Sequence, residues 1–304
     1  MIYMSIVKPL SPPDQLTFLE CLNNRAKLPL QERQYLENLQ KGAEGEKKWE
    51  THLRKLTSNV LILYDLTLEI NHTYFQIDAL CIFENIILAF EIKNYQGDFH
   101  INNNQWYSSS GNEIKDPLLQ VRRNESLLRQ FCKKHHIRLP IEYHLVFVNP
   151  EFMIYSLPPR ENIILPPQIN RYIETLNSTP AQLNRTHDQI AEKLLSLNLQ
   201  SDVYRSKYNY NYENLRKGIW CGECREFVIR KINTLYCKKC ETKETCHSGV
   251  LRGISQLKIL FPNVKLTTHL VHDWTGKIVS NVTIQRILQQ NFEKVSGSKN
   301  TFYI

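Results

Sequence analysis

Residues 60–94 constrain the fold most, because they hold three apolar runs separated only by short polar breaks. The runs at 60–70, 74–83 and 86–94 have the length of strands and are rich in β-branched and aromatic residues, which favour strands. Helical patterns precede and follow them. The order helix, three strands, helix, strand, helix predicts a mixed α/β domain that ends near residue 200.

The elements around these strands have their own sequence signals. Helical periodicity covers residues 14–41, and a separate amphipathic helix is predicted after Gly42 and Gly45, in the stretch EKKWETHLRKL. Asp116-Pro117 predicts the start of a later helix, with an acceptor at the N-cap and proline at the first helical position. The remaining predicted elements are a strand and a helix, at 142–150 and 179–198.

The second and third strands carry acidic residues where a strand interior normally carries apolar ones. Glu84-Asn85 predicts a two-residue turn, since asparagine tolerates a positive φ. With that turn, Asp78 lies directly opposite Glu91 on one face of the hairpin. Like charges in this position destabilise a plain sheet, and a divalent cation between them reverses the sign of the interaction. The hairpin therefore predicts a divalent metal.

Three more polar residues are predicted to join this face. The same register places Gln76 opposite Lys93. Glu46 lies three residues before Trp49 and seven before Leu53, so it falls on the apolar stripe of its helix. A glutamate on a buried stripe needs a partner, and the predicted metal is one. From spacing alone, a cluster of salt bridges at the sheet edge explains the same residues.

In this order, the motifs resemble the PD-(D/E)xK nuclease superfamily and, more narrowly, its nuclease-related NERD domain. The resemblance covers roughly residues 35–150. It implies a restriction-endonuclease-like mixed sheet flanked by helices, and metal-dependent hydrolysis of phosphodiester bonds, with DNA as the expected substrate. The motifs that carry it are Gly45-Glu46, the Gln-Ile-Asp of 76–78, the Glu-Ile-Lys of 91–93, and Gln120 in the helix after Asp116-Pro117.

The resemblance also implies a role for each residue of the motifs. Asp78 and Glu91, together with the Ile92 carbonyl, bind Mg²⁺ or Mn²⁺. Lys93 orients the attacking water, and Glu46 holds a second metal or a metal-bound water. Such a metal stabilises transition-state charge and activates water. The implied supporting residues are Gln76 and Gln120.

A reading from a different functional class stays open. A DNA-binding or regulatory protein can retain a nuclease fold without catalysis, and the motifs alone do not separate the two. Three histidines could be taken for further bases or ligands. Their positions at a helix end and a strand start predict structural roles instead. They are His135, His136 and His144.

Four of the eight cysteines form a second motif, Cys-x₂-Cys, twelve residues, Cys-x₂-Cys. Two such pairs around a short hairpin provide four thiolates for a tetrahedral Zn²⁺, and the pattern resembles a zinc ribbon. A site of four cysteines is closed and structural, and the metal supplies much of the folding free energy of so small a module. Cys246 and His247 are predicted not to be ligands. The predicted ligands are Cys221, Cys224, Cys237 and Cys240.

The net charge of +8 is concentrated in the last third of the chain. Residues 201–304 carry 17 Lys and Arg against 8 Asp and Glu, whereas residues 1–200 carry 21 against 22. This basic segment predicts that a polyanion is bound there, and nucleic acid is the expected partner. The ribbon residues expected to face it are Arg225, Arg230, Lys231, Lys238 and Lys239.

Three helical patterns follow the ribbon, in the order of a helix-turn-helix. Thr267 or Thr268 and Ser280 are the predicted N-caps of the second and third helices, and Gly276 is the predicted stop between them. Two closing strands fit a wing. A small bundle that binds protein is the alternative. On the third helix, apolar positions are predicted at Val282, Ile284, Ile287 and Leu288, and contacts to nucleic acid at Gln285, Arg286 and Gln289.

These patterns divide the chain into five parts and indicate its surroundings. We find no apolar stretch of membrane-spanning length, no secretory signal and no disulfide-like cysteine spacing, so we expect a cytoplasmic protein. The predicted parts are an N-terminal helical segment at 1–34, the nuclease-like domain at 35–200, a linker at 201–218, the zinc ribbon at 219–246 and the helix-turn-helix-like module at 247–304.

Overall fold

The computed structural model of the protein divides into two units. Unit 1 comprises Met1–Pro13 and Glu37–Ser201, and unit 2 comprises Asp14–Leu36 and Asp202–Ile304. The structure describes residues 4–103, 105–158, 162–178, 182–199, 205, 207–296 and 301–304.

Two sheets are present in the described part of unit 1, and together they contain ten strands. The strands are β1 Met4–Lys8, β2 Val60–Ile70, β3 Thr73–Ile82, β4 Ile87–Lys93, β5 Gly97–Asn102, β6 Gln105–Ser108, β7 Glu113–Ile114, β8 Ile141–Phe147, β9 Phe152–Tyr155 and β10 Ile163–Ile164. The larger sheet has the order β1-β2-β3-β4-β8-β10 and is mixed. The antiparallel run β2-β3-β4 lies in its middle, and β1, β8 and β10 each pair in parallel.

Helices cover both faces of this larger sheet, as predicted for a mixed α/β domain. The first five helices of the chain are α1 Asp14–Arg25, α2 Leu30–Leu53, α3 Pro117–Lys134, α4 Ile169–Ser178 and α5 Arg185–Ser196. On one face, residues of α3 and α5 pack against Leu80, Ala89 and Leu145. On the other face, Trp49 of α2 and residues of α4 pack against alternate strand residues. Strand β4 is therefore buried on both sides.

Several predicted elements match the structure closely. The three consecutive strands and the strand after α3 are present at the expected places. Asp116 caps α3, and its carboxylate accepts a hydrogen bond from the Leu118 N–H at 2.8 Å. The hairpin register is also confirmed, from Ala79 opposite Phe90 to Ile82 opposite Ile87.

Other elements differ from the expectation. Helix α2 runs without a break through Gly42 and Gly45, whereas two separate helices were expected there. The N-terminal segment contains a strand, β1, which pairs with β2 and so is not wholly helical. The smaller sheet, of order β7-β6-β5-β9, was not foreseen. One helix was expected over 179–198, and α5 accounts for its described part.

The alternation of β2 and β3 is interrupted at the same level in both strands. Leu63 and Leu66 belong to one core cluster, and so do Ile77 and Leu80 of the partner strand. A spacing of three breaks the usual period of two. The pairing register is the same on both sides of the break. Asp65, with a φ of +49°, lies at the break in β2.

Unit 2 contains the cysteine module and three helices. Its strands and helices, apart from α1 and the first part of α2, are β11 Ile229–Lys231, β12 Thr234–Tyr236, β13 Lys243–Thr245, α6 Cys246–Leu260, α7 Thr268–Trp274, α8 Asn281–Asn291, β14 Lys294–Ser296 and β15 Thr301–Tyr303. The caps at Thr267 and Ser280 and the stop at Gly276, with a φ of +71°, are confirmed. Strands β14 and β15 pair antiparallel, as expected of a wing.

A buried arginine joins α1 to the C-terminal part of unit 2. The Arg25 guanidinium donates to the Arg216 carbonyl at 2.8 Å, to the Gly218 carbonyl at 3.0 Å and to Gln256 Oε1 at 2.7 Å. It also lies over the Trp274 ring, 3.9 Å from its centroid. Burial lowers its pKa to about 10. Because these partners lie near 216–274, α1 is part of the unit 2 core.

The segment predicted as a linker is packed where the structure describes it. Tyr208 and Tyr210 place their rings 5.6 and 5.5 Å from that of Phe18 in α1. Tyr212 donates from its hydroxyl to Asp273 Oδ2 at 2.8 Å, and its ring lies 5.7 Å from Trp274. Every second residue is aromatic, so an extended backbone points these rings the same way.

Candidate active site and zinc centre

A buried ion pair lies near the end of β4. Lys93 Nζ donates to Glu91 Oε1 at 2.8 Å and to Gln120 Oε1 on α3 at 3.1 Å. Glu91 is only 2 % exposed, and its second oxygen, Oε2, is buried without a hydrogen-bond partner among the described residues. Buried polar atoms are nearly always paired, so this oxygen is an unused ligand position.

Asp78 lies beside this pair on the neighbouring strand. The pairing of β3 with β4 ends at Ala79 and Phe90, so Asp78 and Glu91 each lie one residue beyond it, and their predicted pairing stays a prediction. Asp78 Oδ2 accepts a hydrogen bond from the Ile92 N–H at 2.7 Å. Lys93, Asp78 and Glu91 are therefore grouped at one end of the hairpin.

Gln76 is not placed against Lys93, in contrast to the prediction. It pairs with Thr67 of β2, and its amide donates to Asp65 Oδ1 at 2.8 Å. The interruption at Asp65 and Asp78 changes the direction of the side chains beyond it, so simple alternation from β4 fails here. Gln120, expected only as a supporting residue, is the one in contact with Lys93.

Glu46 brings α2 to the same group. The pKa of Glu46 is raised to about 7, chiefly by burial and then by the carboxylates of Asp65 and Glu91, while Lys8 and Lys93 act in the opposite direction. The same two causes, burial and the neighbouring acids Glu91 and Glu46, raise the pKa of Asp78 well above its ordinary value. These carboxylates are thus close enough to repel one another.

The charges of Glu91 and Lys93 partly compensate this repulsion. Burial raises the pKa of Glu91, and Lys93 offsets part of that rise. For Lys93, burial alone lowers the pKa, but the charge and hydrogen bond of Glu91 more than reverse this, and the net pKa is raised. Lys93 is therefore held as a cation among acids.

Gly45 allows α2 to approach this group closely. A Cβ atom at Gly45 would lie 2.7 Å from Asn94 Cβ, next to Lys93 in the chain. Asn94 in turn donates to the Lys41 carbonyl at 2.8 Å and accepts from Lys48 Nζ at 3.3 Å. The glycine therefore brings Glu46, the next residue, to the end of β4.

Comparison with known proteins supplies the family. The family model described as the nuclease-related domain, NERD, matches residues 41–148. Residues 41–148 form a NERD domain. No curated protein and no solved structure matches the chain. The matched residues run from α2 to just beyond the end of β8 and include Glu46, Asp78, Glu91 and Lys93.

Asp65 of the NERD domain was missed by the sequence reasoning. Its backbone carbonyl and that of Tyr64 accept hydrogen bonds from Lys8 Nζ at 2.5 and 2.8 Å, and Nζ lies 3.8 Å from its carboxylate. The charge of Asp65 raises the pKa of Glu46, and its carboxylate accepts a hydrogen bond from Gln76. The usable signal was the acid in the middle of VLILYDLTLEI, Asp65, where the apolar spacing shifts from Leu63 to Leu66.

The donor chemistry of the NERD domain fits a hard divalent cation. Oxygen ligands suit Mg²⁺ and Mn²⁺, and Glu91 Oε2 is an unpaired oxygen. In this conformation, however, the acids are not drawn together as a finished ligand set. Within the described part of the chain, the four cysteines are the one group of three or more ligands that is. The cation would have to draw the carboxylates together.

The cysteine cluster is a ready-made zinc centre. The sulfur atoms of Cys221, Cys224, Cys237 and Cys240 all lie within 4.8 Å of one another. The Cys221–Cys240 and Cys224–Cys237 distances are 3.5 and 3.3 Å, near the ~3.8 Å of a tetrahedron with Zn–S bonds of ~2.3 Å. Strands β11, β12 and β13 form the small sheet of the module. The cluster fits a zinc ribbon.

Some of the residues of unit 2 that are predicted to contact nucleic acid already have partners within the protein. Arg225 forms an ion pair with Glu20 at 2.6 Å, and Lys231 lies over the Tyr236 ring at 3.7 Å. Arg230 donates to the Ile232 carbonyl at 2.8 Å. On α8, Val282 is 77 % exposed, whereas the other three predicted apolar positions are buried. The predicted contact residues with exposed side chains are Arg225, Arg230, Lys231, Lys238, Lys239, Gln285, Arg286 and Gln289.

Membrane insertion finds no support in the helices, since none in the described part of the chain is long and apolar enough to cross a bilayer.

We predict opposite effects for two glycine-to-alanine changes in α2. Gly42→Ala adds a methyl group with nothing within 4 Å and should raise the thermal midpoint, because alanine favours a helix by about 1 kcal/mol. Gly45→Ala makes the same change of propensity but drives a Cβ into Asn94, so the midpoint should fall. Thermal unfolding of both variants beside the wild type measures this. Equal rises would contradict the close approach of α2.

We predict that the stability of the protein without Mg²⁺ or Mn²⁺ falls as pH rises from about 4.5 to 7. Between these values the unfolded chain releases the Glu46 proton while the folded protein retains it, so ionisation favours unfolding. Glu46→Gln should therefore be more stable than wild type at pH 8, by at most about 3 kcal/mol, and the difference should shrink at pH 5. Thermal unfolding at both pH values, with zinc retained, measures this.

Glu44→Gln is the matched control for the Glu46 prediction, because Glu44 is exposed in the same helix. It should behave as wild type at both pH values. A Glu46→Gln variant without any advantage at pH 8 would contradict the repulsion among the acids.

We predict one zinc ion per chain, lost when a cluster cysteine is replaced. Cys237→Ser removes one of four thiolates and should leave the ribbon without metal and unfolded. Cys246→Ser is the control, because Cys246 lies outside the cluster at the start of α6. Native mass spectrometry counts the zinc. Loss of zinc in the Cys246 variant, or its retention in the Cys237 variant, would overturn the ligand set.

Proposed function

We propose that the protein is a Mg²⁺- or Mn²⁺-dependent nuclease that hydrolyses phosphodiester bonds, with DNA as its substrate. The observation that carries the proposal is the buried Glu91, paired with Lys93 through one oxygen and unpaired at the other, inside a NERD domain. Burying a carboxylate in an apolar strand lowers the stability of the fold, so its presence there is best explained by a function.

The proposed roles are those that the resemblance to the nuclease-related domain implies. Asp78 and Glu91 would bind the cation, together with the Ile92 carbonyl, and Glu46 on α2 would hold a second metal or a metal-bound water. When bound, the cation supplies positive charge to the phosphate and lowers the pKa of water. Lys93 stays protonated beside Glu91 and so offers a fixed positive charge to the phosphate.

Two glutamines support this arrangement in different ways. Gln120 Oε1 accepts from Lys93 Nζ and so fixes the direction of the ammonium group. Gln76 donates to Asp65 rather than to the Lys93 region, which makes it a positioning residue for the carboxylate beside Glu46.

The basic C-terminal part is proposed to hold the substrate. Unit 2 carries the excess of positive charge, and its three helices followed by paired strands have the order of a winged helix-turn-helix. On α8, Ile284, Ile287 and Leu288 are buried, which leaves the opposite face free for contacts. The side chains on that face are Gln285, Arg286 and Gln289.

The reduced thiols of the ribbon support the predicted cytoplasmic location, because zinc-binding thiols persist in a reducing compartment.

One observation favours a second candidate, a DNA-binding or regulatory protein without catalysis. Lys93 is held by Glu91, and the acids are not drawn together as a ligand set. In such a protein the ion pair is a permanent structural feature. Binding would then weaken with salt and be indifferent to Mg²⁺.

Cleavage assays decide between the two. We expect zinc-loaded protein to cut plasmid or labelled single- and double-stranded DNA only when Mg²⁺ or Mn²⁺ is added. Asp78→Asn and Lys93→Ala should each lower the rate about 100-fold or more, because each removes a charge that acts on the transition state. Binding measured in calcium, and thermal midpoints, show whether the variants are folded.

Asp98→Asn and Lys133→Ala are matched controls, since both residues are exposed in unit 1 outside the proposed site. They should cleave as wild type does. Absence of metal-dependent cleavage, or cleavage that persists unchanged in the Asp78 and Lys93 variants, would leave the non-catalytic candidate.

A further inference from the structure

A groove lies beside the proposed active site, between β3 and the first half of α3. Its volume is about 420 Å³, which is in the usual range for a bound small ligand of roughly 300 to 1,000 Å³. We call it the α3 groove. Its lining includes Tyr74, Gln76, Lys115, Leu119, Gln120 and Arg123.

The inner end of the α3 groove is connected to the proposed catalytic residues. Gln120 lines the groove and accepts a hydrogen bond from Lys93 Nζ at 3.1 Å. Gln76 also lines it and donates to Asp65 Oδ1 at 2.8 Å. Gln120 therefore links the groove directly to Lys93.

The charge of the α3 groove distinguishes it from two other cavities of unit 1. Lys115 and Arg123 line it, and its lining contains no acidic residue. In the other two, acids accompany the cations. Glu113 and Asp116 line the first, which shares Lys115 with the α3 groove, and Glu44 and Glu151 line the second. A purely positive lining fits a phosphate backbone.

Neither cation has a carboxylate partner among the described residues. Arg123 makes two long hydrogen bonds, to the Tyr74 carbonyl at 3.3 Å and to Asn124 Oδ1 at 3.4 Å. Lys115 forms no ion pair within the part of the chain that the structure describes. Both charges remain available for phosphates.

An exposed aromatic ring stands next to these cations. Tyr74 is 61 % exposed, and no described residue stacks on its ring. Arg123 binds its backbone carbonyl, so cation and ring are adjacent. Basic residues that follow a backbone, with an aromatic ring on which a base stacks, are the means by which proteins hold single strands. A duplex keeps its bases stacked inside and offers none to the ring.

We propose that the α3 groove binds a single strand of DNA next to the active site, with a base on Tyr74 and phosphates on Lys115 and Arg123. The substrate is then single-stranded or locally unpaired DNA. The placement of the strand between Lys93 and the groove rests on the proposed nuclease function. It adds a binding site within unit 1 to the one proposed for unit 2.

Photocrosslinking locates the strand without any cleavage. Full-length, zinc-loaded protein without Mg²⁺ or Mn²⁺ is mixed with a 20-nucleotide DNA strand that contains 5-iododeoxyuridine, irradiated and analysed by peptide mass spectrometry. We expect a crosslink at Tyr74. A blunt duplex of the same sequence should give much less. Crosslinks in unit 2 alone, or equal crosslinking of Tyr74 by the duplex, would overturn the assignment.

Binding of the same single strand, measured by fluorescence anisotropy, tests the ring. Tyr74→Ala should weaken binding about 5-fold or more, the loss expected for one stacked base, and Tyr74→Phe should retain it. Tyr155→Ala is the matched control, because Tyr155 is similarly exposed in unit 1 but lies outside the groove. Equal effects of the Tyr74 and Tyr155 changes to alanine would contradict the proposal.

The salt dependence of binding tests the cations. Replacing both Lys115 and Arg123 by alanine should reduce the slope of log affinity against log salt by about 1.4, because each phosphate neutralised on a single strand accounts for about 0.7. Replacing both Lys133 and Lys134, at the other end of α3, changes the net charge equally and should leave the slope unchanged. Equal slopes for the two double variants would count against the groove.

The two proposals can fail separately. If Tyr74 crosslinks but no metal-dependent cleavage is found, the groove stands and the nuclease proposal falls. If cleavage depends on Asp78 and Lys93 but the groove variants bind as wild type, the nuclease stands and the groove falls.

Discussion

Glu91 is a carboxylate buried near the end of an otherwise apolar strand, and much of unit 1 is arranged around what such a group requires. Removing a carboxylate from water costs several kcal/mol unless it gains a partner. Lys93 satisfies one oxygen, and Gln120 holds Lys93 in place. The glycine at position 45 lets a helix add another acid, Glu46, to the same place. Such an arrangement opposes stability and is retained where a site needs charge.

Much of the NERD domain could be predicted from the sequence, because its signals are local. Strand length and β-branched composition define β2, β3 and β4. The two-residue turn at Glu84-Asn85 defines the register of β3 and β4, although Asn85 does not adopt the positive φ expected of it. That register holds as far as Ala79 and Phe90, one residue short of Asp78 and Glu91. The caps of α3, α7 and α8 follow in the same way from single residues with a fixed role. Four cysteines at ligand spacing defined the zinc ribbon.

The remaining features depend on contacts between distant parts of the chain. The predicted position of Gln76 was wrong because the side chains of β2 and β3 switch faces of the sheet together, at Asp65 and Asp78. The sequence of neither strand alone reveals this switch. The position of Asp65 beside Glu46 has the same origin. Helix α2 continues through two glycines because tertiary packing outweighs their weak helix propensity. The packing of the tyrosines at 208, 210 and 212 on α1 and α7 likewise depends on residues far away in the sequence.

The place of Arg25 in unit 2 has a consequence for how the chain is made. Helix α1 is synthesised before most of unit 1, yet the buried guanidinium of Arg25 donates to residues that are synthesised after it, Arg216, Gly218 and Gln256. These partners follow Arg25 in the sequence by 191, 193 and 231 residues. Chains grow at roughly 5–20 residues per second, so the partners are synthesised well after α1. Helix α1 therefore lacks these partners for on the order of ten seconds or more, while most of unit 1 is synthesised. The core of unit 2 is thus completed only after the Glu37–Ser201 part of unit 1 has been synthesised.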